Sequence, residues 1–156
     1  MAFREFTRSC RVPATRAAVW QRVTSAEGIN DEMWPVLSMA LPPALRAPTI
    51  EAVPVGRPAG RAPLRLLGLL PVDVDVLTIT EMEPGQYFQE RSWMLSMRRW
   101  EHRRVLTADD EGTLVTDTVG FEPRPPLVHH LAARVLPLFF EHRHRRLVRH
   151  FSDQAA

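Results

Sequence analysis

The sequence contains no lysine: all 20 of its basic residues are arginine. A GC-rich coding sequence is the simplest source of such a bias. The physical consequence is that every cation is a planar fork that stays charged near pH 7 and suits carboxylates or phosphates. There is 1 cysteine, Cys10, so no intrachain disulfide can form and nothing points to an oxidising compartment. Long apolar runs are missing as well. The most apolar stretch, Leu64 to Val76, is broken by Arg65, Pro71, Asp73 and Asp75, and falls short of the roughly 18 apolar residues that a membrane span needs. The N-terminus shows no basic segment followed by an apolar one, so a cytoplasmic protein without stable membrane insertion is expected.

Further absences narrow the chemistry. The 7 glycines are scattered, and neither Gly56 nor Gly60 leads into Lys-Ser/Thr, so no phosphate-cradling loop is expected. There is no Gly-x-Ser-x-Gly elbow, and Cys10 sits in an expected strand with no identifiable base. His142 and His144 would project about 200° apart on a helix and could not share a metal ion. No metal and no cofactor are expected. The formal net charge is only +2, which does not make nucleic acid an expected partner.

What is present is a globular mixture, 45% apolar and 24% charged over 156 residues. That length suits a single domain over residues 1–156 and buries roughly 70% of the unfolded surface. Phe3 to Val12 reads as a first strand. Pro13 and Thr15 open a short helix over Arg16 to Val23, and Ser25 begins a second that bends or ends near Pro35. Leu41 to Pro63 is rich in proline and glycine, with only a hint of an edge strand over Ala47 to Val55. Strands follow at Leu64 to Leu70, Val74 to Met82, Tyr87 to Met94, Arg99 to Leu106 and Thr113 to Phe121. Strands that run on without intervening helices imply an antiparallel sheet.

After Pro123, Pro125 and Pro126, a helical pattern runs from Leu127 to Phe151. Leu127, Val128, Leu131, Val135 and Leu138 cluster on one side. Beyond Pro137 the apolar positions move to Leu136, Phe140, Leu147, Val148 and Phe151. Pro137 lacks the N–H that would bond Ala133, so a kink is expected where the stripe shifts, with two separate helices as the alternative. Glu141-His-Arg-His-Arg-Arg146 reads either as a solvated face or as a basic patch for an acidic partner, membrane or nucleic acid.

The motifs in order are Glu27-Gly-Ile-Asn30 with Met33 and Pro35, Gly68-Leu-Leu-Pro71 with Asp75, Phe88-Gln-Glu-Arg-Ser92, Trp100-Glu-His-Arg103, Thr116-Asp117, Phe121-Glu-Pro-Arg124 and His142-Arg-His-Arg-Arg-Leu147. With the order of elements, they resemble the START/Bet v 1-like helix-grip (SRPBCC) superfamily, in particular a bacterial polyketide cyclase/ligand-binding-like branch. The resemblance spans nearly the whole chain. It implies an α+β helix-grip fold, β-α-α-β(about six)-α, with a curved antiparallel sheet around a long, kinked C-terminal helix. It also implies a cavity for lipids, sterols, polyketides or hormones, in members that act as cyclases and in members that only carry ligand. Fold alone does not choose between these.

Alternation then selects the polar residues on the inner face. Asp117 shares a face with Val115, Val119 and Phe121, while His102 and Arg104 share one with Trp100 and Leu106. A turn centred on Asp109 and Asp110 puts His102 opposite Asp117 or one diagonal away. Arg91 goes with Trp93 and Leu95, although Phe88 and Met94 mark the opposite face about as well; Arg91 is expected to pair with Glu101 or Asp117. Asp73 and Asp75 are expected to be solvated. His102 and Asp117 are the candidate catalytic pair, base and orienter, if the protein is an enzyme. Met33, Trp34, Arg91, Trp93, Trp100, Phe140 and His144 are the candidate ligand contacts. Three functions follow: a carrier for a small hydrophobic ligand, a cyclase/aromatase-like enzyme, or an interaction module docking through the arginine-rich end of the last helix. A monomer or a homodimer is expected.

Overall fold

Two hydroxyl caps decide where the chain first turns into helix. Thr15 Oγ1 accepts from Ala18 N and Ser25 Oγ accepts from Gly28 N, each such cap contributing about 1 kcal/mol. In the computed structural model, which describes residues 2–46 and 49–156, they start α1 (Arg16–Val23) and α2 (Ala26–Met33). A Cβ on Gly28 would lie 1.7 Å from Arg22 O, so only glycine lets α2 pack this tightly on the end of α1. α2 ends at Met33, two residues before Pro35.

The strands are β1 (Arg4–Val12), β2 (Leu37–Met39), β3 (Pro58–Leu66), β4 (Leu70–Glu83), β5 (Tyr87–Met94), β6 (Met97–Asp109) and β7 (Gly112–Pro123), followed by α3 (His129–Ala155). All pairings are antiparallel, in the order β1-β7-β6-β5-β4-β3-β2. The sheet curls into a half-barrel around α3. This is the β-α-α-β6-α order that the sequence implies, a helix-grip α+β fold. Irregular register in β3 and between Ile79 and Glu81 in β4 accompanies the strong curvature, as bulges do.

The apolar core lies where α1 and the C-terminal half of α3 meet the sheet. Val19, Trp20 and Val23 pack there with Leu77, Ile79, Phe88, Leu106, Val115, Leu147 and Phe151. Truncating a fully buried member such as Leu147 to alanine costs roughly 2–5 kcal/mol.

Three local expectations change, while the single long C-terminal helix is kept. Leu64 to Leu70 is not one strand: β3 ends at Leu66, the chain turns, and β4 begins at Leu70. Residues 47 and 48 of the hinted edge strand lie outside the described residues, and Ile50–Ala52 forms a 3-10 turn instead of a strand. α3 passes through Pro137 as one helix of 27 residues. Its apolar stripe through Leu131, Val135 and Leu138 faces outward, because the helix meets the sheet through Phe140, Arg143, His144, Leu147 and Phe151.

Candidate functional site

Antiparallel register assembles the site from three strands. On β5 the inner face is Phe88, Glu90, Ser92 and Met94; on β6 it is His102, Arg104 and Leu106; on β7 it is Val115, Asp117 and Val119. Glu90 stands directly opposite His102, and Arg104 directly opposite Asp117. His102 and Asp117 are therefore one diagonal apart, within side-chain reach. α2 adds Glu32 from the same face as Ile29 and Met33, and α3 adds Phe140, Arg143 and His144.

Asp117 is the hub. Its two oxygens accept from Arg104 Nε (2.7 Å), Arg104 Nη2 (2.7 Å), His102 Nε2 (2.7 Å) and His144 Nε2 (2.6 Å). The other side of the Arg104 fork meets Glu32, Nη1 to Oε1 at 2.7 Å and Nη2 to Oε2 at 3.0 Å. Arg143 donates from Nε to Glu32 Oε2 at 3.2 Å. Burial alone would push the Asp117 carboxyl up, but the Arg104 and His102 charges hold it well below the usual carboxylate range. Burial acts likewise on Glu32, and Arg104 and Arg143 outweigh it.

His102 continues the chain of charges toward β4. Its Nδ1 lies 3.8 Å from Glu90 Oε2, close enough for attraction and too far for a hydrogen bond. Burial favours the neutral ring, yet the Asp117 charge and the partners on both sides raise the pKa, so the ring holds its proton more tightly than a free histidine. Glu90 also accepts from Ser92 Oγ at 2.6 Å. Burial and then the Glu90 charge push Asp75 up to about 9, which makes it a proton donor toward Glu90 at neutral pH. Among the described residues, Asp75 Oδ1 is the buried side-chain polar atom with no hydrogen-bond partner. The ionised carboxylates Asp117, Glu32 and Glu90 thus face Arg104, Arg143 and His102, and the charges balance. An isolated buried ion would be far too costly, whereas a set in which each ion has an opposite charge beside it can persist.

Beside this network lies a partly enclosed cavity of about 70 Å³. Its apolar wall includes Val23, Ile29, Met33, Met39, Leu41, Ile50, Leu77, Ile79 and Phe88, and its polar side is Glu90, His102 and Arg143. The rings of Phe88 and Phe140 stand edge-on to His102 at 5.6 and 5.2 Å. This is less than half the roughly 150 Å³ that holds benzene in an engineered apolar cavity. Buried ion pairs fill much of the space between sheet and helix. A wider hollow of about 460 Å³ between β1 and α3 is open to solvent. Its Cys10 thiol is pushed up to about 12 by burial, so it is a poor nucleophile. The smaller cavity is the candidate site because a mostly apolar wall converges there on the buried Glu90, His102 and Arg143.

The structure brings His102 and Asp117 together, with Phe140 and His144 beside them and Met33 in the cavity wall. Trp100 lies half-buried on the inner face of β6. Arg91 and Trp93 project from the outer face of β5, which corrects the side expected for them. Arg91 reaches Glu101 at 3.7 Å, and Trp93 lies under Arg124. Trp34 is 49% exposed between α2 and β2. Asp75 is buried rather than solvated, and Asp73 bonds Ser96. Sequence reasoning missed the roles of Glu32, Glu90, Arg143 and Asp75. The i, i+3, i+4 spacing of Ile29, Glu32 and Met33, and the period-2 run Phe88, Glu90, Ser92, are the signals that point to the first two. The basic cluster of α3 is also smaller than it reads: Arg143 is spent on Glu32 and Arg146 on Asp31. Among the described residues, no group of three His, Cys, Asp or Glu side chains is placed to hold a metal ion.

A family model described as a domain of unknown function (DUF8410) matches residues 10–151. No curated protein matches the chain. Among solved structures, it is similar to the Zhui aromatase/cyclase from Streptomyces sp. R1128, at 11% identity and a TM-score of 0.71 over 99% of this chain and 97% of that one. A START superfamily protein from Mycobacterium smegmatis gives 12% identity and a TM-score of 0.69 over 96% and 98%. A conserved protein from Geobacillus kaustophilus gives 13% identity and a TM-score of 0.69 over 96% of each chain. At these identities the likeness is one of fold.

Proposed function

The chain belongs to the DUF8410 family, built on a START/Bet v 1-like helix-grip fold, and we propose that it binds a small, largely apolar molecule bearing one hydrogen-bond acceptor. The observation that carries this reading is the pairing of an apolar wall with His102, whose Nδ1 has, among the described residues, only Glu90 Oε2 near it, at 3.8 Å and beyond hydrogen-bond reach. That group donates to a carbonyl, phenol or carboxylate oxygen, while Val23, Ile29, Leu77 and Ile79 take the apolar body. A ligand bigger than a few atoms displaces part of the wall. Met33 and Met39 support such repacking because their unbranched side chains adapt to shape. Leu41 and Ile50 come from a segment of 3-10 turns rather than from the sheet.

Native mass spectrometry of freshly purified protein, followed by titration with phenols, fatty acids and sterol analogues, tests the proposal. A bound species is expected, with affinity about tenfold lower in His102→Ala, the loss of one hydrogen bond to a charged donor. No binding across the panel, or binding indifferent to His102, overturns it.

A second reading is favoured by the partners of His102, which make its ring hold a proton more tightly than a free histidine. If the protein is a cyclase-like enzyme, the protonated ring acts as a general acid that polarises a carbonyl oxygen, with Asp117 as its orienter. In this reading it serves as the acid, where the sequence suggests a base. Turnover lost in His102→Ala and retained in Ser92→Ala would support this role.

A further inference from the structure

The outward stripe of α3 continues into other elements. Leu131, Val135, Leu138 and His142 follow at i, i+4, i+7 and i+11, one face of a helix. His142 Nε2 then bonds Trp34 O at 2.9 Å, and the Trp34 ring lies within 3.5 Å of where a Cβ on Gly68 would stand. Gly68 is the tip of the β3–β4 hairpin, between Leu67 and Leu69. One apolar strip thus runs from the start of α3 across Trp34 to this tip. It is openly exposed: Leu127 by 94%, Leu69 by 84%, and Leu131 and Leu138 by 61% each.

Within the segments that supply the strip charge has one sign, and the acids that flank Trp34, Glu27 and Asp31, are paired with Arg22 and Arg146. Residues 33–38, 64–72 and 127–138, which supply the strip, contain no aspartate or glutamate, but they do contain Arg65 and Arg134. Among the described residues neither arginine has a carboxylate within ion-pair distance, whereas Arg98 and Arg99 nearby pair with Glu122 and Glu101. We propose that this end of the molecule docks onto the surface of an anionic lipid bilayer, with the leucines of the hairpin tip and α3 in the interface and Arg65 and Arg134 on headgroup phosphates. A second copy of the chain fits less well, because it would bring these arginines against their own kind while the acids beside Trp34 are already engaged by Arg22 and Arg146. Leucines standing on turns also enter a soft interface without needing a shaped partner. Among the described residues no helix is long and apolar enough to cross a membrane, so the docking proposed is peripheral.

Vesicle flotation tests the proposal, using phosphatidylcholine alone and phosphatidylcholine mixed with phosphatidylglycerol. Wild-type protein is expected to float with the anionic vesicles and less so as salt is raised. Leu69→Ser should lower the partition coefficient about tenfold, and Arg134→Glu by a similar factor. Val55→Ser removes a half-exposed apolar side chain just before β3, away from the hairpin tip, and should change nothing. Unchanged thermal melts keep folding out of the comparison. Failure of the wild type to float with anionic vesicles overturns the proposal. So does equal loss in Val55→Ser, or a dimer dissolved by Leu131→Ser with no vesicle bound.

Discussion

Arg104 and Asp117 stand directly across β6 and β7 and meet fork to fork, Nε to Oδ1 and Nη2 to Oδ2, both at 2.7 Å. Because the Arg104 guanidinium also grips Glu32, this one side chain ties α2 to the middle of the sheet. The cup is therefore held open on one side by apolar packing and cross-braced on the other by ion pairs.

Removing the brace should be expensive. Arg104→Met leaves Asp117 and Glu32 buried without their main counter-charge, a loss of roughly 3–5 kcal/mol. At about 2–4 °C per kcal/mol, the melting temperature measured by circular dichroism should fall by roughly 6–20 °C. Arg104→Lys keeps the charge but not the fork and should fall less. A melt of Arg104→Met within 2 °C or so of wild type would contradict the geometry.

Acid should unfold the protein through the same groups. Asp117, Glu32 and Glu90 have folded pKa values below their unfolded ones. Their stabilisation is fully present above about pH 4.5 and lost as pH falls through the depressed values. His102 has the opposite sign: its contribution is complete below about pH 6.5 and disappears as pH rises through its raised value. Melts from pH 3 to pH 9 should therefore peak between about pH 4.5 and 6.5. A maximum in the alkaline range contradicts these assignments.

Asp75 gives the alkaline limb a separate handle. Its folded pKa of about 9 lies above the unfolded value, so it costs progressively more stability as pH rises from about 4 toward 9. Asp75→Asn keeps a donor for Glu90 and has no charge to bury. It should raise the melting temperature at pH 8 by more than at pH 5. An equal change at both pH values would show that Asp75 is ionised in the folded protein.

Much of this arrangement is legible in the residues. Clean alternation of Val115, Asp117, Val119 on β7 marks an inner face with one misplaced acid, and His102 and Arg104 follow on β6. β5 defeats the same reasoning, because Phe88 and Met94 lie on one face and Trp93 and Leu95 on the other, with nearly equal apolar content. What decides it is the pairing of Glu90 with His102, and a buried charge looks like a solvated one until its partner is known. α3 fails for a related reason. Its most regular apolar stripe faces outward, while Arg143 and His144 turn inward because Glu32 and Asp117 are waiting there. Glu32 comes from 72 residues away from Arg104, a separation that no local pattern encodes.

Cys10 offers a simple check of packing. With its pKa raised to about 12 by burial, it should react with a thiol reagent at pH 8 at least tenfold more slowly than an unfolded thiol whose pKa is about 8.5. Denaturant should release the full single equivalent. Fast labelling of the native protein would mean that the thiol, which lines the open hollow between β1 and α3, is not kept protonated by its surroundings.

Nitrogen-15 NMR of the His102 imidazole, recorded across pH with and without phenol as a probe ligand, tests the binding account most directly. A doubly protonated ring at pH 7 with a midpoint above about 6.5 is expected, and phenol should shift the Nδ1–H resonance while leaving Nε2, held by Asp117, nearly still. A neutral ring at pH 7, or a bound phenol that leaves Nδ1 unmoved, would contradict it.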